Sequence, residues 1–467
     1  MKLVYLGDDV TGTVSVAEAF CESGVRSVVF LQPPTAEDLT TRFSGVVAAG
    51  VASGTRSMPP DALRHEVRRI ARSLAELGPE LFLYKVCSTF DSSPDTGSIG
   101  AALEELASLF PSRVVPVYPA APRFGRYTLF GNHFAALWDE VLRLDRHPSL
   151  AQHPSTPMQE ADLRRHLAAQ TGLRQRLADV RTVAAGPDQL TAAYVAGGAD
   201  GDLVVTDTLT AQHVDTVGEA VWRLVESEQT RLVCASQELV LGLVAAWRRR
   251  GFSLRQRLPD PPVPAPRALL AVSGSGALQT EHQIQRAVDG GFREIALQTP
   301  GLAGPTWNAE VARVTRQAGD LLASGTSVIV HTARGPNDPR IPATRAAAGG
   351  SATRRLGETA ARLIRDLVAG GQAPRLALLG GDFSGAVLRA LQATALEIAH
   401  TFATSAPVTY LHSNDRALDG LQVGLKGGQA GSPDWLLDVA RQPIASARRR
   451  IPAWDHEPAD PSRRSTE

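Results

Sequence analysis

At roughly 100–200 residues per domain, a chain of 467 residues is long enough for two or three domains and a large buried core. Basic and acidic residues number 48 each, and this zero balance excludes a global positive field that would draw in nucleic acid or an anionic membrane. Three cysteines at unrelated spacings, Cys21, Cys87 and Cys234, exclude a disulfide framework and a CxxC-type zinc site.

Residues 3–6 read as a short apolar strand. It runs into Gly7-Asp8-Asp9 and Thr11-Gly12, then into a helical pattern over about 14–23, the opening of a βα unit. The acidic pair stands where a signal peptide needs an apolar stretch, so the expected location is the cytoplasm. Strand patterns follow at 25–31, 45–51, 81–86 and 114–118, with helical patterns at 60–77, which has proline in its first turn, and at 99–109. Residues 152–178 read as loop plus helix, and 204–206 and 232–235 as further strands. The longest apolar stretch, around 239–247, is far too short to span a bilayer.

Residues 258–266, LPDPPVPAP, carry five prolines in nine positions and cannot continue a helix or a central strand. This segment is the domain boundary the sequence marks most clearly. The rhythm then restarts: strand 268–272, helix 278–289, strand 295–298, helix 309–323, strand 327–331, helix 351–369 and strand 376–379. Residues 452–467 are polar and proline-rich and read as disordered. The expected class is α/β: two doubly wound domains, 1–257 and 268–455, joined by a Pro-rich linker, with the active site in the cleft between them.

Three glycine-rich elements fall in the second domain. Ser273-Gly274-Ser275-Gly276 links a strand to a helix start, where exposed backbone N–H groups and the helix dipole suit a phosphate. It lacks the Lys of a Walker A loop and the third glycine of a dinucleotide fingerprint. Gly380-Gly381-Asp382-Phe383-Ser384-Gly385 has the same design, with a helix expected from Ala386. Asp382 there can orient a metal-bound phosphate or accept a proton, or simply cap the helix. Lys426-Gly427-Gly428 is the third element, and together the three point to a nucleotide.

The first domain offers polyol chemistry. Asp8-Asp9 ends the first strand, at the ligand-facing edge of an open α/β sheet, and can accept hydrogen bonds from hydroxyls or act as a base. Lys85 through Pro94, KVCSTFDSSP, sets Ser88, Thr89 and Asp91 for hydroxyls and Lys85 for a carboxylate. Only Lys2, Lys85 and Lys426 are lysines, against 45 arginines, a bias that reflects a GC-rich genome while leaving the internal lysines as candidates for sites needing a compact ammonium. Cys87 reads as buried filler, and His153 in the stiff loop HPSTPM as structural. No HExxH and no GxSxG occurs.

These motifs in this order resemble the four-carbon acid sugar kinase family over most of the chain. GDDVTG at 7–12, KVCSTFDSSPDTGSIG at 85–100, Phe124-Gly125-Arg126 and HPSTPM resemble its 3-oxo-tetronate kinase branch. VSGSGALQTEHQI, GGDFSG and LKGGQAG resemble its nucleotide motifs. The resemblance implies a sugar-acid-binding N-terminal domain and a nucleotide-binding C-terminal domain. It implies sugar acid near Asp8, Asp9, Lys85, Ser88, Thr89, Asp91 and Arg126. It implies ATP against Ser273, Ser275, Gly380, Gly381, Asp382, Phe383, Ser384, Gly427 and Gly428. Departures fall at Gly97-Ser98-Ile99-Gly100, at GRYTLFGNH over 125–133 and at Ala235-Ser236-Gln237-Glu238, and they bear on the choice of substrate.

The expected activity is therefore ATP- and Mg²⁺-dependent phosphorylation of a terminal hydroxyl of a four-carbon sugar acid, with Asp9, Asp91 or Asp382 taking the proton and closure excluding water. The expected partner is the small acid, with no nucleic acid or membrane; a homo-oligomer is compatible with the sequence. The rival readings are a non-catalytic sugar-acid or nucleotide sensor and a nucleotide-dependent dehydrogenase.

Overall fold

The apolar run LVYLG forms strand β1 (Leu3–Gly7), buried at every position, as expected of a strand covered on both faces. The structure, a computed structural model, describes residues 1–137, 139–148, 150–151, 156–196, 201–252, 254, 262–263, 265–302, 304–371, 375–402 and 404–445. His153, most of the Pro-rich segment 258–266, and residues 452–467 lie outside the described residues.

The first half continues with β2 (Ser27–Phe30), β3 (Ala48–Ala52), β4 (Leu81–Lys85) and β5 (Val114–Tyr118). A small antiparallel sheet of β6 (Arg126–Leu129), β7 (Asn132–Leu137) and β8 (Glu140–Arg143) follows, then β9 (Gln175–Ala178), β10 (Asp202–Thr206) and β11 (Leu232–Ala235). The second half holds β12 (Pro262–Val263), β13 (Leu270–Ser273), β14 (Arg293–Ala296), β15 (Val328–His331), β16 (Arg375–Leu379), β17 (Ala393–Thr401), β18 (Pro407–Ser413), β19 (Leu421–Lys426) and β20 (Ile444–Ala445). Within the Pro-rich segment, β12 pairs with β20, so the boundary is pinned at that point to the end of the second half.

Both halves are doubly wound, as expected, and they share one 15-stranded sheet ordered β14-β15-β13-β16-β19-β18-β17-β2-β3-β1-β4-β11-β5-β10-β9. The strands from β2 to β9 in this order are parallel, as are those from β14 to β19. Antiparallel β17 and β18, which the βα rhythm does not foresee, weld the halves edge to edge through β17 and β2. Six strand steps separate β1 from β16. At roughly 20–25° of twist per step the halves are turned by about 120–150°, which brings the carboxyl ends of antiparallel strand sets round toward each other.

Each half has a switch point where successive connections leave in opposite directions, the place where such sheets bind ligands. In the first half it lies between β1 and β4, and in the second between β13 and β16. These strands end in the segments singled out above: Asp8-Asp9, Lys85 onward, Ser273–Gly276 and Gly380-Gly381. One apolar cluster runs unbroken from Leu3 and Val14 in the first half to Val387 and Leu425 in the second. A shared core of this kind opposes a free swing of one half against the other.

Candidate active site

The helix Val10–Glu22 begins directly after the acidic pair, four residues earlier than the periodicity places it, because Asp9 caps it. Asp9 Oδ1 accepts from the Gly12 N–H at 2.9 Å and its Oδ2 from Thr11 Oγ1 at 2.9 Å. The capping reading and the functional reading of Asp9 are thus the same geometry. Arg56, in the turn Thr55–Ser57 after β3, donates to both Asp8 oxygens at 2.9 and 2.7 Å and to Asp9 Oδ1 at 3.0 Å. The sequence reading missed Arg56, since one arginine among 45 carries no local signal. Lys85 is buried, and its Nζ donates to the carbonyl of the next residue, Val86, at 2.6 Å. A Cβ on Gly12 would stand 3.3 Å from that Nζ and 2.3 Å from Asp9 Oδ1, so only glycine lets the ammonium and the carboxylate meet over the helix start.

Two carboxylates and two cations therefore share a dry corner. Burial raises Asp8 above the usual carboxylate range, Arg56 works against that rise, and the neighbouring Asp9 charge adds to it. Burial also works to raise Asp9, but Arg56, Lys85 and the bonds from Thr11 and Gly12 outweigh it and hold Asp9 low. Asp9 is the ionised member of the pair, ready to accept a hydrogen bond.

Beside this corner, the chain after β4 turns back at Cys87–Phe90, where Phe90 N–H donates to Cys87 O at 2.9 Å. Buried Phe90 holds φ at 57°, an uncommon strain for an aromatic residue that the packing around it must enforce. Thr89 Oγ1 lies 2.9 Å from the half-buried Cys87 Sγ, whose thiol burial pushes up to about 11, consistent with a filler and not a nucleophile. Ser88 accepts at its carbonyl from His133 Nε2 at 2.8 Å. His133, kept neutral by burial with a pKa of about 4, stands in the departing segment 125–133 and links it to this loop. Asp91 Oδ1 and Arg126 Nε are both buried without a hydrogen-bond partner among the described residues. Each acts electrostatically on the other, and Arg126 anchors its Nη1 on Phe124 O at 2.7 Å. An orphaned donor and an orphaned acceptor at one place call for a polar ligand.

In the second half, Gly380 takes φ of +113° and accepts the role of cap without a side chain, so the helix Gly381–Ala390 starts at Gly381 and not at Ala386 as expected. The GGDFSG segment is thus a helix N-terminus, and the N–H groups of Gly381, Asp382 and Phe383 are first-turn donors. Ser384 N–H is used on Gly380 O at 2.8 Å, while Ser384 Oγ is buried without a partner among the described residues. Phe383 is buried against Gly274, where a Cβ would fall 2.2 Å from its ring, so its side chain positions the neighbouring loop. Asp382 is exposed and its charge acts on Arg389.

The three glycine elements converge. A Cβ on Gly380 would stand 3.4 Å from Ser275, and one on Gly428 3.2 Å from Ser275 Oγ. Ser273 and Ser275 are buried in the floor, with Ser275 Oγ accepting from Ala277 N–H at 3.2 Å. Lys426, one of the two internal lysines, is wholly buried, with its Nζ donating to Thr280 Oγ1 at 3.0 Å.

The two halves then meet. A Cβ on Gly381 would lie 3.1 Å from Thr11 Oγ1 and 3.4 Å from Asp9 Oδ2, and one on Gly427 4.0 Å from Thr11 Oγ1. Asp9 and Thr11 of the first half thus face the helix start and glycine loop of the second. The structure brings Asp8, Asp9, Lys85 and the 85–91 segment to one side and Ser275, Gly380, Gly381, Gly427 and Gly428 to the other.

A family model described as a sugar-binding N-terminal domain matches residues 3–243, and one described as a nucleotide-binding C-terminal domain matches residues 270–436. A Paraburkholderia graminis protein named 3-oxo-isoapionate kinase is 38% identical over 457 residues, 96% of each chain. A Cupriavidus necator protein named 3-oxo-tetronate kinase is 30% identical, covering 94% of this chain and 96% of its own. A Salmonella typhimurium protein named D-threonate kinase is 27% identical, covering 94% and 97%. Crystal structures of a Salmonella typhimurium LT2 protein (TM-score 0.72, 22% identity, covering 94% of this chain and 98% of that one) and of Haemophilus influenzae protein HI1011 (TM-score 0.67, 21% identity, covering 93% and 98%) share the fold.

Proposed function

Because the chain belongs to the four-carbon acid sugar kinase family, whose members join a sugar-binding N-terminal domain to a nucleotide-binding C-terminal domain, we propose that it uses ATP to phosphorylate a terminal hydroxyl of a small sugar acid. The observation that carries this reading is the approach of Asp9 and Thr11 to the Gly381 helix start. A hydroxyl held by Asp9 there is presented to a phosphate held by the first-turn N–H groups. The relatives' names favour a 3-oxo sugar acid over threonate, since the three at 30% identity or more carry that prefix.

Arg126 and Asp91 bind the acid, the guanidinium taking its carboxylate and the carboxyl group a hydroxyl. Lys85 balances charge beside Asp9 and does not face the substrate. The hydroxyl oxygen bonds to the γ-phosphorus as the bond to the β–γ bridging oxygen breaks, and its proton passes to Asp9, the ionised member of the acidic pair. Gly381, Asp382, Phe383, Gly427 and Gly428 bind the phosphates through their backbone, and the Ser384 hydroxyl supplies a further donor. Among the described residues no group of three or more His, Cys, Asp and Glu is placed to cage a metal. Single carboxylates plus phosphate oxygens fit Mg²⁺, which keeps several waters; Asp382 is the residue that would meet it. When bound, the ion neutralises phosphate charge. No helix among the described residues is long and apolar enough to cross a membrane.

ADP release tests this reading, measured with ATP and Mg²⁺ against 3-oxo-isoapionate, 3-oxo-tetronate, D- and L-threonate and D- and L-erythronate. The expected result is turnover with a 3-oxo acid at the highest kcat/KM and a gain of one phosphoryl group in its mass. ATP binding with no turnover on any member of the panel refutes the kinase assignment for these acids and revives the sensor reading.

A further inference from the structure

Lys426 ends β19, behind the place where the three glycine elements converge. Its carbonyl accepts from Gly380 N–H at 3.0 Å, and its Nζ donates to Thr280 Oγ1 at 3.0 Å and toward Gly428 O at 3.5 Å. Thr280 Oγ1 lies 3.1 Å from both Ser275 Oγ and Gly428 O. Lys426 thus ties the three segments from behind: its amine holds the KGG loop directly and the SGSG loop through Thr280, and its carbonyl holds the GGD helix start.

The surroundings of this amine are uncharged. Thr280 and Gly428 flank it from the helix Leu278–Asp289 and the glycine loop, Leu379 pairs with it from β16, and it forms no ion pair among the described residues. The acids of the adjoining loops are engaged elsewhere, Asp9 with Arg56 and Lys85 and Asp382 with Arg389. Burial alone brings Lys426 down to about 7. A buried ammonium without a counter-charge is costly, and an arriving polyphosphate supplies that charge.

We propose that Lys426 is a positioning residue that fastens the three loops together and takes up a proton when a nucleotide binds between them. The inference rests on the reading of the second half as a nucleotide site. The amine is mainly neutral in the free protein above pH 7 and becomes an ammonium in the complex. At pH 8, nucleotide binding then draws roughly 0.9 proton from the buffer, and at pH 6 roughly 0.1.

Calorimetric titration of the full chain with ATP and Mg²⁺, without any acid, in HEPES, TAPS and Tris at pH 8 reads this directly. At that pH the nucleotide brings no proton of its own. The expected result is an apparent binding heat that varies with the buffer's ionisation heat, at a slope near one proton. The slope should vanish in Lys426→Met and in the permanently charged Lys426→Arg, whichever of the two retains the wild-type melt. ATP binding with the same heat in all buffers overturns the proposal and leaves the nucleotide reading standing. Uptake that persists in the variants overturns it as well, since the proton then belongs to another group. Absence of any ATP heat removes the nucleotide reading and this inference with it.

Discussion

Replacing Arg56 by alanine strips the acidic corner of its fork. The wild-type side chain makes three N–O contacts, at 2.9, 2.7 and 3.0 Å, with two carboxylates that are 3% and 6% exposed. After the change, Lys85 alone faces both. Removing one partner from a buried charge cluster costs about 3–5 kcal/mol. At about 2–4 °C per kcal/mol for a unit the size of the first half, the melt should fall by roughly 6–20 °C. The deficit should also depend on pH. Arg56 lowers both Asp8 and Asp9, so its loss raises both folded-state values. A raised carboxyl costs stability above its unfolded value of about 3.9, and the cost grows as pH climbs toward the folded value. Thermal unfolding at pH 5, 6.5 and 8 should therefore show the smallest deficit at pH 5 and the largest at pH 8. In the same variant the acid limb of kcat/KM should move to higher pH, because Asp9 must be ionised to accept the proton. Arg56→Lys should restore part of the melt and less of the rate, since an ammonium cannot span both carboxylates. A deficit under about 1 kcal/mol, or one equal at all three pH values, would refute the claim that Arg56 holds this pair.

Two further substitutions separate the halves of the site. Gly381→Ala places a methyl between the helix start and Thr11, 3.1 Å from its hydroxyl, at a backbone conformation that alanine accepts. Alanine is favoured over glycine in a helix by up to about 1 kcal/mol, so the melt should hold while kcat/KM for ATP falls by about 100-fold; an unchanged rate would take the phosphate away from Gly381. Arg126→Met should raise KM for the acid by about 10- to 100-fold, the worth of a charge-assisted bond at 1.5–3 kcal/mol, with KM for ATP unmoved. A rise in the ATP constant instead would place Arg126 in the wrong half.

The local units were legible because they follow from short-range physics. Continuous apolar runs such as 114–118 and 232–235 can only be buried parallel strands in a βα rhythm, and both form as expected. Glycine and hydroxyl clusters after such runs marked both switch points. The helix starts at Val10 and Gly381 came earlier than expected, because the caps are Asp9 and the left-handed Gly380, and their effect depends on geometry that periodicity does not carry. The antiparallel β17 and β18 went unseen because their half-polar sequences are satisfied only by neighbours far along the chain, β19 on one side and β2 on the other.

What the sequence determined alone was the class, the two doubly wound halves and the residue types available for phosphate and polyol chemistry. Only the tertiary structure decided which of them meet. It set Arg56, from another loop, onto Asp8 and Asp9, turned Lys85 and Lys426 inward, and brought Gly381 to within reach of Asp9. The physical reason is that local propensity acts over a few residues, whereas the welded, twisted sheet fixes which carboxyl-end loops face one another across hundreds of residues of sequence.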